Sequence, residues 1–263
     1  VDIDAFEDAT IHAVAVAASV AGATGLGVAA SGGGSDVDNI ISTVTKAHIT
    51  GADLNVSGQV NVDAEDVLTT SAKVATANLA AALISMSAGG SISDLTIETM
   101  TQAYVDGSTI VAGSLAVAAN ATPKAEVESL GVNAGTLAVG VSKADVTVRP
   151  TASADIRGSS TNIKTNSLSV TANVKLPSSG YSGNAMATGS SGGLIGTDAT
   201  LVSVTNTSKA EALLSGGTFD IDGGSFVGAD TQTRQRGEAN SIAIGGLAAG
   251  ASTSNVTSRT TTT

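Results

Sequence analysis

The 263-residue sequence predicts an all-β fold, a β-solenoid or wide β-helix built from repeats of about 55 residues. Three observations carry this: two short motifs recur in phase along the chain, period-2 alternation runs between them, and the apolar residues are small. The repeats cover positions 1–263 as a single array with approximate bounds 1–59, 60–114, 115–167, 168–224 and 225–263, the last incomplete.

The first motif places an apolar residue two positions before an alanine. It occurs as Ile3-Asp-Ala5, Val62-Asp-Ala64, Val117-Ala-Ala119, Val170-Thr-Ala172 and Val227-Gly-Ala229, so the anchoring alanines are spaced by 59, 55, 53 and 57 residues. The second, Ala-x-apolar-x-Gly, occurs at Ala47–Gly51, Ala103–Gly107, Ala154–Gly158 and Ala212–Gly216. From each of these glycines to the next anchor is 13, 12, 14 and 13 residues, whereas the other arm varies between 35 and 42. Length variation is therefore confined to one arm, as expected where one end of a repeat is fixed by packing and the other is free to extend.

The variable arm alternates with period 2 and is rich in Thr and Val, as in Thr69–Thr76 and Ser91–Thr101. That is the signature of half-buried strands. Each arm passes through a small-residue apex at positions 22–34, 80–90, 130–141, 189–196 and 242–250. Ala77–Ala88 has the propensity to form a helix, but the equivalent apices hold several glycines, each weakening a helix by roughly 1 kcal/mol. Strands are expected throughout. Only Pro123, Pro150 and Pro177 interrupt the ladder donors. The pattern leaves open whether a repeat is one wide coil or two narrow turns, and whether any strands pair as antiparallel hairpins.

Composition agrees with a thin stack. There is no Trp, and two Tyr and three Phe are the only aromatics; Ala, Val, Leu and Ile form most of the apolar 42%, with 31 Gly beside them. Such residues bury little area each, which favours closely spaced sheets over a globular core. The uncharged stretch Ala13–Ala30 is long enough to cross a membrane. It is too rich in Ala, Gly and Ser for a spanning helix and reads as buried strand. A net charge of −11 and a pI near 4.4 argue against nucleic acid or anionic membranes as partners. Without cysteine there is no disulfide, zinc thiolate or thiol nucleophile.

Neither end carries an atypical polar cap, and this predicts further coils on both sides, in a longer chain or in identical subunits of a fibre. The segments NVDA (61–64), TANLAAALISMSAGGS (76–91) and TMTQAYVDGSTIVAGSLAVAAN (99–120) make the chain resemble the repeats of leukotoxin-type filamentous adhesins. It is also similar to the large exoproteins of autotransporter and two-partner secretion systems. The resemblance implies a secreted β-solenoid at the bacterial surface, with a structural or adhesive role and host-cell or cell-surface ligands. It implies no catalytic residue.

Chemistry is sparse in the sequence. His12 and His48 lie in different motif contexts without the partners that a metal or triad needs. No Gly-x-Ser-x-Gly elbow precedes a suitable Asp and His. Carboxylate pairs two residues apart share a strand face: Asp2 with Asp4, Asp36 with Asp38, and Asp220 with Asp222. Glu65 and Asp66 flank the second anchor. These read as solvated acidic edges; Asp36, Asp38, Asp220 and Asp222 are the candidates for a calcium site, the one cofactor the sequence suggests. A β-helical polysaccharide-active enzyme would use such pairs across a groove but lacks aromatic sugar platforms here. The glycine run at 31–35 lacks the Lys-Ser/Thr of a phosphate loop. An ice-binding array would need a regular Thr-x-Thr in every repeat, and Thr69–Thr70 and Thr260–Thr263 do not supply one.

Overall fold

A computed structural model describes all 263 residues as a flattened solenoid of five wide coils, with no helix. Each coil runs along one face, turns at an apex and returns along the other. The first coil consists of β1 (Asp2–Gly22) and β2 (Val28–Thr50), the second of β3 (Asp53–Ala81) and β4 (Ile84–Asp106), the third of β5 (Thr109–Ala134) and β6 (Leu137–Arg157). The fourth holds β7 (Asn162–Val174) and β8 (Gly183–Leu214); the fifth holds β9 (Thr218–Ile221), β10 (Ser225–Thr231) and β11 (Gln235–Thr262). β8 and β11 pass through the apex without a break, so each contributes to both faces. Every ladder is parallel, and the question of hairpins is settled against them.

The motifs become rungs. Ala5, Ala64, Ala119, Ala172 and Ala229 are successive ladder partners on the first face. Ala47, Ala103, Ala154 and Ala212 are successive partners on the second. Between them lies a turn whose glycine has positive φ in each coil: Gly51 (60°), Gly107 (58°), Gly158 (99°) and Gly216 (72°). A side chain there would be strained, so this end of the coil has a fixed length. Of 181 backbone hydrogen bonds, 161 lie within the strands, so the ladder carries cohesion along the axis.

The interior changes character along each coil. At the Gly51 end, 22 buried residues form one apolar cluster that includes Ile110, Leu115, Val117, Ile156 and Ile163. A second cluster of 14, centred on Leu68, Leu95, Ile97 and Val146, lies nearer the apex. Asp66 and three threonines separate the two. Beyond the second cluster the interior of the apex is filled by Ser, Thr, Asn and Gly with a few alanines, Ala29, Ala80 and Ala138.

Two expectations need correction. Ala13–Ala30 is not buried strand: it alternates, and Val14 (72%), Val16 (73%) and Val20 (77%) point outward and are exposed. No helix is long and apolar enough to cross a membrane. The fourth coil is also less regular than its neighbours. Pro123 cannot donate to the ladder, and opposite it the chain leaves the sheet over 175–182, a loop containing Pro177, before Ala125 N–H donates to Ser182 O at 3.0 Å.

Candidate functional surfaces

Polar chemistry is spread one or two groups per coil along the axis. On the second face, Asp36 and Asp38 point outward from β2, and Asp38 shares a column with Asp94 and Asp145. That column has its own cation: Lys143 Nζ lies 3.1 Å from Asp94 and 2.5 Å from Asp145, and these hydrogen bonds raise the Lys143 pKa against a partial desolvation. Asp220 belongs to the first face, four coils away, where Lys164 pairs with it at 2.9 Å. The Lys164 pKa rises through that bond and the charges of Asp220 and Asp222. Asp222 is in the following turn, its N–H donating to Thr165 O at 3.0 Å. The four calcium candidates thus form two separate exposed pairs on opposite faces. No group of three or more His, Asp or Glu side chains is gathered into a metal-sized cluster.

Glu65 and Asp66 diverge. Glu65 points outward with Asp63, whose carboxyl is pushed up by partial burial and by the charges of Glu65 and Asp4, against a hydrogen bond from Asn120. Asp66 points inward and is 0% exposed. It accepts hydrogen bonds from the hydroxyls of Thr45, Thr99 and Thr101, the last at 2.6 Å. A buried carboxylate held by three neutral donors costs less than an orphaned one, and it ties two coils to one register. The motif phase carries the signal for this: Thr45 and Thr101 stand two residues before Ala47 and Ala103, which are ladder partners.

A second buried carboxylate, Asp198, lies inside the apex. Burial pushes its pKa up, against hydrogen bonds from Ser241 (2.8 Å) and Thr200 (3.2 Å). A methyl on Gly140 would come within 2.5 Å of Asp198 Oδ1 and 2.6 Å of Asn133 Nδ2, so glycine here is dictated by two polar side chains converging from neighbouring coils. Asn78 Nδ2 donates to Asn133 Oδ1 at 3.0 Å and to Gly33 O at 3.2 Å, continuing the polar column.

The histidines stay apart. His12 Nδ1 is 2.5 Å from Ser71 Oγ on the first face. His48 stacks on Tyr104 at 4.9 Å on the second, and Arg157 covers the same ring at 4.6 Å. Beside this stack Asp155 is pushed up by burial, opposed by Ser153 and Arg157. The His12–Ser71 contact joins an imidazole to a hydroxyl, and neither histidine is hydrogen-bonded to a carboxylate.

The two coil ends differ from this pattern. β1 and β2 pair only with the second coil, and β9–β11 only with the fourth. Ile3, Ala5 and Ile11 at one end, and Phe219, Ile221 and Ala229 at the other, are half-buried and packed against a core whose inner rungs are fully buried. Each end therefore presents unpaired backbone groups around a partly filled apolar interior.

Comparison with known proteins gives no match. No family model, curated protein or solved structure matches the chain.

Proposed function

We propose that this chain is a structural and adhesive repeat segment of an extracellular bacterial filament or giant surface protein, in which coil stacks on coil to form a rod. The observation carrying this reading is the in-register parallel ladder, in which the same alanine column and apolar cluster join each coil to the next. The partner is a further repeat of the same chain or an identical subunit. Secretion to the cell surface is supported by the resemblance of the repeat motifs to filamentous adhesins and large exoproteins, and the acidic, cysteine-free composition suits it.

Electron microscopy of the purified chain tests the reading. Rods of uniform width are expected, with a rise of about 4.8 Å per coil. Discrete particles of single-chain size at every concentration would refute it.

A further inference from the structure

The apex is built inside out. Positions 13–35, 74–93, 129–142, 187–197 and 239–258 contain no charged residue. Within them the buried inward side chains include Ser31, Thr76, Asn78, Ser87, Asn133 and Ser191, beside the small Ala29, Ala80 and Ala138. Ser31 donates to Ser19 O at 2.9 Å and Ser87 to Asn78 O at 3.0 Å, whereas Thr76 Oγ1, Asn78 Oδ1, Asn133 Nδ2 and Ser191 Oγ have no partner. The outward side chains are mostly apolar, the fourth coil differing in carrying Thr188, Ser190 and Thr197 outward. On the first face Val16, Val20, Leu79, Leu130, Val132 and Ile244 are exposed, and on the second Val28, Met86, Val139, Ile195 and Leu247. Leu26, Leu83 and Leu194 cap the turns between the faces and are exposed as well. Where the charge-free zone ends, Lys73 pairs with Glu128 on one face (2.9 Å) and Lys143 with Asp94 on the other (3.1 Å). Charge thus returns only at the border of the apolar surface, as these pairs and, on the second face, as Asp36, Asp38 and Asp145.

Five coils spaced about 4.8 Å apart and about eight residues of about 3.3 Å each give a face of about 24 by 26 Å, or about 600 Å². That stands at the top of the roughly 300–600 Å² range for the largest patch of an ordinary monomer, and the two faces together exceed the about 800 Å² per partner of a stable interface. We propose that copies of this chain associate laterally, the apex of one stacking face to face on the apex of another. Flat pleated ladders of Ala, Val, Gly and Leu are the surfaces that sheets use to pack about 10 Å apart. A lipid-facing surface would carry aromatic side chains at its borders. Here Tyr104, Tyr181, Phe6, Phe219 and Phe226 all lie outside the charge-free zone. Because both faces are apolar, each copy takes two neighbours, and the stack does not close. This association uses the faces, so it is independent of end-to-end growth of the rod.

Sedimentation velocity tests it on the full chain, comparing the natural sequence with Val132→Lys on the first face, Val139→Lys on the second, and both together. Both substitutions fall at outward positions, and all three variants should leave the far-ultraviolet strand spectrum unchanged. Lateral association predicts species that grow with concentration for the natural chain, at least a tenfold weaker association for each single variant, and the loss of side-by-side contacts in the double variant. Ser190→Cys reports the contact directly, since the chain has no other cysteine. Ser190 stands on the first face, and mild oxidation should yield a covalent dimer that Val132→Lys abolishes. Absence of that dimer, or association of the double variant equal to the natural chain, would overturn the proposal. Flotation of the chain with phosphatidylcholine vesicles, lost in the double variant, would overturn it in favour of a membrane.

Discussion

Two adjacent glycines at the fourth apex should respond oppositely to the same substitution. A methyl on Gly192 meets nothing within 4 Å, and its φ is not positive. Gly192→Ala should therefore stabilise by about 0.4–1 kcal/mol, because it restricts the unfolded chain more than the folded one. A methyl on Gly193 would fall well inside the carbonyl oxygen of Gly135 in the coil below, and 3.1 Å from Thr136 O. Relief requires the two coils to separate. That stretches the bonds Gly135 N–H to Gly192 O (3.0 Å) and Ile195 N–H to Thr136 O (2.9 Å). Two such bonds at about 1 kcal/mol each, with overpacking of about 1 kcal/mol or more, give a loss of about 3 kcal/mol for Gly193→Ala. Urea unfolding followed by far-ultraviolet circular dichroism measures both variants against the natural chain. A Gly193→Ala midpoint at or above that of Gly192→Ala would refute the close stacking of Gly135 on Gly193, and with it the flatness of the apex.

Ile110→Ala, at a position with no exposure, should destabilise by about 2–5 kcal/mol, whereas Val16→Ala on the outer face should stay within about 0.5 kcal/mol; equal losses in denaturant melts would contradict the inside-out assignment. Asp198 has a folded pKa above its ordinary 3.8, so the folded chain binds the proton more readily than the unfolded one. Its contribution to stability is greatest at acid pH and falls as pH rises through the folded value. Asp198→Asn should therefore be more stable than the natural chain at neutral pH, with the gap closing on acidification, and a gap independent of pH would rule this out. Calcium should leave the melting temperature unchanged, since Asp220 is held by Lys164 and Asp36 and Asp38 form an isolated exposed pair. A calcium-dependent rise that Asp36→Asn with Asp38→Asn abolishes would restore those carboxylates as a metal site.

The rungs were legible because Ala and Gly positions in a solenoid are set by close contact. Ala64, Ala119 and Ala172 are fully buried, and Gly51, Gly107, Gly158 and Gly216 hold the one backbone shape that side chains resist, so these residues recur whatever surrounds them. What the apolar pattern concealed was direction. Alternation defines two sides of a strand and says nothing about which is inside. Counting from an anchor resolves it: Ala5 is inward, so Val14, Val16 and Val20, at even positions, must be outward. Ala64 is inward, so Asp66, Thr76 and Asn78 must be inward too. Reading Ala13–Ala30 as buried followed hydrophobicity where parity was the stronger constraint. Asp66 needed one more step, the pairing of Thr45 with Thr101, which only the phase of the second motif supplies. The loop over 175–182 follows from Pro123 and Pro177 together, which no single strand pattern contains.

Reversed polarity divides the molecule into two parts with different sources of stability. At the Gly51 end the interior is apolar and each added coil removes hydrocarbon from water, so cohesion there is intrinsic to the stack. At the apex the interior gains hydrogen bonds, whose net worth is small beside those to water, and the burial of small alanines such as Ala80 and Ala138, while the larger hydrocarbon remains on the outside. A sequence under pressure for single-chain stability alone would gain from exchanging the two sides, for which one residue of register shift suffices. The first, second, third and fifth apices keep the reversed parity on both faces despite differing in length, and the fourth keeps it at Leu194 and Ile195. Retention of the less stable arrangement in these coils points to a requirement outside the chain, and an apolar surface on both faces of a flat arm is the form that side-by-side packing of solenoids requires.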